Sequence, residues 1–101
     1  MASARDRVAR QNIEHLMPSR DSVGGVPPHF AWTPVAGADA YAIGIWNEVD
    51  VLVWRADDLR APSVVLPPEV RLEPGTYLWS VTALHDKQFV ADSGLAAFVV
   101  R

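Results

Sequence analysis

Apolar and polar side chains alternate along residues 74–84, where the chain has its most regular pattern. The stretch opens with the turn dipeptide Pro74-Gly75, and Tyr77, Trp79 and Val81 then follow at every second position. Because successive side chains of a β-strand point to opposite faces, this parity predicts a strand with one buried face. We expect it to be the central strand of the fold.

Six further short apolar stretches occur at a spacing of roughly ten residues, with Gly, Pro, Asn and Asp between them. They cover residues 12–17, 29–33, 40–46, 51–55, 63–66 and 95–100. Short strands at this spacing are typical of a two-sheet sandwich, so the pattern predicts an all-β fold of seven antiparallel strands. Residues 19–28 are rich in Gly, Pro, Ser and Asp and are predicted to be a loop, with at most a brief edge pairing.

The length of 101 residues predicts one domain. We expect residues 1–11 to be an N-terminal arm or linker, irregular or briefly helical, and residues 12–101 to form the sandwich. The net charge of −3 gives no electrostatic case for binding nucleic acid. The absence of cysteine excludes disulfides and thiolate metal sites. No run of about 18 apolar residues exists, so we expect no membrane insertion by this segment.

Two segments together resemble the bacterial kind of fibronectin type III-like, immunoglobulin-like domain. They are Phe30-x-Trp32-x-Pro34-Val35-x-Gly37-Ala38-x-x-Tyr41 and Leu72-x-Pro74-Gly75-Thr76-Tyr77-x-Trp79-x-Val81-x-Ala83. The resemblance covers roughly residues 12–100 and implies that Trp32 and Tyr41 pack in the core. It also implies that Tyr77 makes a corner hydrogen bond back toward the preceding connection. Such domains occur beside other domains in secreted or cell-surface enzymes and in membrane-anchored regulators of the anti-sigma type.

Aromatic and parity patterns divide the candidate residues into a core set and a surface set. The predicted core comprises Trp32, Tyr41, Tyr77, Trp79 and Val81. The predicted binding surface comprises Trp46, Trp54, Leu78, Ser80 and Thr82. An exposed Trp beside small residues leaves a flat patch that can stack a sugar or receive a protein. The structural alternative, which we favour, is that Trp46 and Trp54 pack on each other or under a loop and only cover the sheet.

No residue pattern indicates a reaction or a resident ion. His15, His29 and His85 lack the spacing of metal ligands, and the dipeptide His85-Asp86 is interpreted as a polar turn. No nucleophile is paired with a base, so we predict neither catalysis nor a cofactor.

We therefore expect a non-catalytic module that spaces or docks other protein parts. Its partner would be another protein or a second copy, bound through an outer sheet face or an edge strand. The alternative is a carbohydrate-binding accessory module that uses Trp46 and Trp54. An extracytoplasmic location follows if the domain is excised from a longer protein, and a cytoplasmic one if it is complete.

Overall fold

The computed structural model describes residues 13–101, and every regular element in this range is a β-strand. In chain order the strands are β1 (His15–Met17), β2 (Ser22–Gly24), β3 (His29–Trp32), β4 (Ala40–Asn47), β5 (Leu52–Leu59), β6 (Ser63–Val65), β7 (Gly75–His85), β8 (Gln88–Asp92) and β9 (Ala96–Val100). The predicted all-β class is confirmed, and two sheets form a sandwich.

The smaller sheet has the strand order β1-β3-β6, and the larger has the order β2-β9-β7-β4-β5 with β8 also paired to β7. The central strand β7 is 11 residues long and pairs with β4 on one side. On its other side it pairs first with β9 and then with β8. Ser93 lies between β8 and β9, where its N–H and its hydroxyl oxygen bond the carbonyl and the N–H of Val81 at 2.9 and 2.8 Å. The ladder beside β7 therefore continues through the gap between its two partners.

The prediction of seven antiparallel strands is wrong for the described residues, because β2 and β8 bring the count to nine. Ser22–Gly24 lies inside the predicted loop and pairs in parallel with Phe98–Val100, which makes the larger sheet mixed. Both stretches are only three to five residues long, and the neighbouring edge of an existing sheet supplies their hydrogen-bond partners. The predicted arm, and the predicted strand start at residue 12, lie outside the described residues.

The core fills the space between the two sheets. Along β7 buried and partly exposed side chains alternate from Tyr77 to Leu84, as the parity argument requires. All five residues of the predicted core are at most 7% exposed: Trp32, Tyr41, Tyr77, Trp79 and Val81. The ring of Trp32 meets Tyr41 edge-on at 5.5 Å between ring centroids and lies tilted against Trp79 at 6.4 Å. Such edge contacts add to the large apolar area that each ring buries.

Both tyrosines use their hydroxyls to fasten loops to the core. The hydroxyl of Tyr77 donates to the carbonyl of Glu73 at 2.7 Å, which is the corner hydrogen bond that the resemblance implied. Burial raises the pKa of Tyr77 above its usual value, and the nearby Glu73 carboxylate adds to this shift, so the donor proton is retained. The hydroxyl oxygen of Tyr41 accepts the N–H of Val35 at 3.0 Å.

Candidate functional site

Asp39 organises one end of the sandwich, directly before β4. Its N–H donates to the carbonyl of Leu84 at 2.8 Å, and its Oδ2 accepts the N–H of Asp86 at 3.0 Å. The same Oδ2 lies 3.4 Å from Nδ1 of His85. One carboxylate thus faces an imidazole nitrogen while a backbone N–H holds it in place.

The hairpin between β7 and β8 positions the histidine. His85 and Gln88 pair across a two-residue turn, and Asp86 and Lys87 both have positive φ, at 52° and 67°. Positive φ at both central positions defines a type I′ turn, whose twist matches that of the flanking strands. His85 is therefore the last residue of a regular strand, next to the loop that carries Asp39.

Arg60 also contacts Asp39 at this end of the sandwich. Its Nη1 donates to the backbone carbonyl of Asp39 at 3.2 Å, and its Nη2 lies 3.5 Å from Oδ1 of Asp58. A shallow cavity of about 140 Å³ lies here, lined in part by Asp39, Asp58 and Arg60. The side chains of His85 and Asp39 are 63% and 42% exposed, so solvent reaches both.

The arrangement offers two metal-binding donors, an imidazole nitrogen and a carboxylate oxygen. Within residues 13–101 no group of three or more His, Cys, Asp or Glu side chains is placed to hold a metal ion. An ion bound here would therefore meet only these two side-chain donors among the described residues. The sequence interpretation missed this pair because Asp39 and His85 are 46 residues apart, and only the register Ala40↔Leu84 between β4 and β7 brings them together.

The predicted binding surface is divided between two faces of the larger sheet. Trp46, Leu78, Ser80 and Thr82 are partly exposed on its outer face, where Trp46 pairs with Leu78. Trp54 instead pairs with the buried Ile45 and packs against the core. It lies 6.4 Å from Phe30 between ring centroids, so the two Trp rings do not form one surface.

Trp46 does not leave its small neighbours open. Its indole ring lies over Gly44, so close that a Cβ added to that glycine would be 2.6 Å from Cη2 of the ring. Gly44 is consequently buried although it belongs to the outer face. Beside the ring a cavity of about 180 Å³ is lined in part by Arg55, Ser80 and Thr82. This geometry resembles the structural alternative, in which Trp46 only covers the sheet. The Trp46 ring, however, packs on Gly44 and not on Trp54.

The fold of this chain is similar to that of a solved structure. No family model matches the chain, and no curated protein matches it. The crystal structure of CopC from Methylosinus trichosporium OB3b is similar, with a TM-score of 0.58, 18% sequence identity, and coverage of 88% of this chain and 93% of that one. At this identity the likeness shows the fold alone. It supports an immunoglobulin-like all-β sandwich and does not confirm the fibronectin type III-like assignment.

The same comparison overturns the predicted function. The likeness to CopC counts against the predicted spacer, docking module or carbohydrate-binding module. The sequence patterns behind that prediction indicate the sandwich fold and the positions of its aromatic residues. They do not indicate a function, because many functions occur on such a scaffold. Across the described part of the chain there is also no helix that could cross a membrane.

Proposed function

We propose that this domain binds a divalent transition-metal ion, preferentially Cu²⁺, through His85 and Asp39 and without catalysis. The observation that carries the proposal is the 3.4 Å approach of His85 Nδ1 to Asp39 Oδ2 at a solvent-accessible end of the sandwich. The likeness to CopC supports it by showing that a similar scaffold occurs in a copper-binding protein.

The donor chemistry favours copper over other divalent ions. Imidazole nitrogen and carboxylate oxygen suit Cu²⁺, which also has the highest intrinsic affinity in the first-row series. Two donors bound to one ion at about 2 Å each and at right angles are about 2.8 Å apart. The observed separation of 3.4 Å therefore needs an adjustment of only about half an ångström, within the reach of two exposed side chains.

The surroundings orient the carboxylate before an ion arrives. The Asp86 N–H on Oδ2 and the Arg60 contact to the Asp39 carbonyl both restrict the Asp39 residue. Such outer partners commonly affect metal affinity by about 10–100-fold. With only two protein donors in the described residues, we expect the site to be weaker than a closed site of four ligands.

Copper titration of the full chain tests the proposal. Binding is followed by calorimetry and by the electron paramagnetic resonance signal of Cu²⁺, in which a coordinated imidazole nitrogen gives a characteristic splitting. We expect His85→Ala and Asp39→Asn each to weaken binding by about tenfold or more. His29→Ala is the matched control, because His29 lies on β3 in the other sheet and should leave the affinity unchanged.

Two results would contradict the proposal. The first is that the wild-type chain binds Cu²⁺ no more tightly than the double variant His85→Ala/Asp39→Asn, which lacks both donors. The other is binding that survives unchanged in His85→Ala, which would place the copper elsewhere.

The finer assignment to the bacterial fibronectin type III-like family is likewise a proposal. The Tyr77 hydrogen bond to Glu73 and the edge contact of Trp32 with Tyr41 support it. An experimental structure in which the Tyr77 hydroxyl bonds a group other than this connection would count against it.

A further inference from the structure

His15 occupies an unusual position in the first strand. Its imidazole ring meets the buried ring of Trp79 edge-on, with centroids 4.6 Å apart and planes at 85°. Its Nε2 is buried and has no hydrogen-bond partner. A neutral imidazole can leave one nitrogen as an unpaired acceptor, but a protonated ring would bury a charged donor there, at a much greater cost in free energy.

The charges around His15 also oppose its protonation. Burial lowers the pKa of His15 below its usual value, and the guanidinium of Arg20 lowers it further. The backbone groups of Gly94 and Trp79 and the carboxylate of Asp92 raise the pKa of His15, without reversing the shift. Glu14, next to His15 in the chain, lines the same crevice together with Ser93.

Few hydrogen bonds hold β1 in place, and the buried side chain of Ile13, two residues before His15, is the apolar anchor of this segment. The strand is three residues long and pairs with β3 at His15↔Trp32 and Met17↔Ala31, with an irregularity between the two pairs. Two hydrogen bonds between Glu14 and Thr33 extend this contact. The Glu14 N–H donates to Oγ1 of Thr33 at 2.9 Å, and the Thr33 N–H donates to the Glu14 carbonyl at 3.1 Å. A short edge strand of this kind opens locally at much lower free energy than the whole domain.

We propose that His15 is an acid-sensitive latch, whose protonation releases β1 from β3 and leaves the edge of β3 open to pairing with another strand. The detached state exposes His15 to water and binds a proton more readily than the closed state. Lowering the pH through the range below about 6.5 therefore favours detachment, and the effect levels off once His15 is also protonated in the closed state. The proposal is separate from metal binding, since the latch lies in β1 and the donor pair at the β7–β8 hairpin.

Hydrogen exchange of two adjacent amides tests the latch. The N–H of Thr33 is bonded to β1 through the Glu14 carbonyl, whereas the N–H of Trp32 is bonded on the opposite side of β3 to the carbonyl of Pro62 at 3.0 Å. In metal-free buffer, we expect protection of the Thr33 amide to fall by about fivefold or more between about pH 7.5 and pH 5, after correction for intrinsic exchange rates. Protection of the Trp32 amide should change by less than about twofold.

Variants assign the effect to one histidine. His15→Phe keeps an aromatic edge against Trp79 but cannot titrate, so the pH dependence of Thr33 protection should disappear. His85→Gln should retain it. If His15→Phe folds poorly, His15→Leu serves the same purpose, and the wild-type comparison of Thr33 with Trp32 stands without any variant.

The proposal is overturned if Thr33 protection in the wild-type chain does not change with pH. It is equally overturned if the change persists in the variants without His15. A parallel loss of protection in Thr33, Trp32 and the amides of β4 would show global destabilisation in place of local release.

Discussion

A single added carbon at Gly44 should destabilise this domain, although glycine is a poor strand residue. Gly44 lies in the middle of β4, where its lack of a side chain weakens a strand by about 0.5–1 kcal/mol relative to alanine. An alanine Cβ, however, would lie 2.6, 3.0 and 3.2 Å from three carbon atoms of the Trp46 indole ring. The ring must therefore move off the sheet or the strand must shift.

The balance of these two effects gives the expected magnitude. Forcing extra volume into a packed contact costs about 1–3 kcal/mol. We take about 2 kcal/mol for the cost of the clash and about 0.7 kcal/mol for the gain from the better strand residue. The free energy of unfolding of Gly44→Ala should then be lower by about 1 kcal/mol. For a domain of this size, that lowers the melting temperature by about 4–8 °C.

A double-mutant cycle isolates the contact. With Trp46→Ala already in place, the clash is gone and Gly44→Ala should stabilise the domain by about 0.5–1 kcal/mol. The same substitution thus changes sign with its background, which corresponds to a coupling energy of about 2 kcal/mol measured by urea denaturation. The reasoning is refuted if Gly44→Ala is neutral or stabilising beside Trp46, because the indole would then move aside at no cost.

Two further substitutions test individual hydrogen bonds and turn conformations. Tyr77→Phe removes the donor to the Glu73 carbonyl and should cost about 1–2 kcal/mol in urea denaturation, whereas a loss below about 0.3 kcal/mol would show that this corner bond contributes nothing. Lys87→Gly places the residue suited to positive φ in the type I′ turn and should raise stability by about 0.5–1 kcal/mol; a decrease in the thermal midpoint would contradict the turn assignment.

The fold was predictable because its main signals are local. Alternation along residues 74–84 depends only on the two-residue period of a strand, so it places Tyr77, Trp79 and Val81 in the core without knowledge of any partner. The same parity separates Trp46 from Ile45 on β4. It could not place Trp54, because an irregularity in the β4–β5 pairing between Ile45 and Trp46 changes which face each residue of β5 presents.

The candidate site was not predictable because it depends on register. His85 and Asp39 each look like ordinary polar residues at the end of a strand and at the end of a loop. Their proximity follows from the pairing of Ala40 with Leu84, and a shift of this pairing by two residues would separate them. No local property of either sequence segment carries that information.

The two short strands that the seven-strand prediction did not count, β2 and β8, lie beside the segments that carry His15 and His85. β7 is long enough to extend past β9, and its free end pairs with β8 in the hairpin that presents His85. β2 follows Arg20, which flanks His15, and its pairing with β9 brings this segment back to the larger sheet. Both strands are short and weakly patterned, because they bury little and are held mainly by backbone hydrogen bonds to a sheet that already exists. The candidate donors show the same division of labour within the strong strands: His85 is the last residue of β7 and Asp39 lies directly before β4, so polar residues at strand ends can change without loss of the fold while the apolar positions of those strands maintain the core.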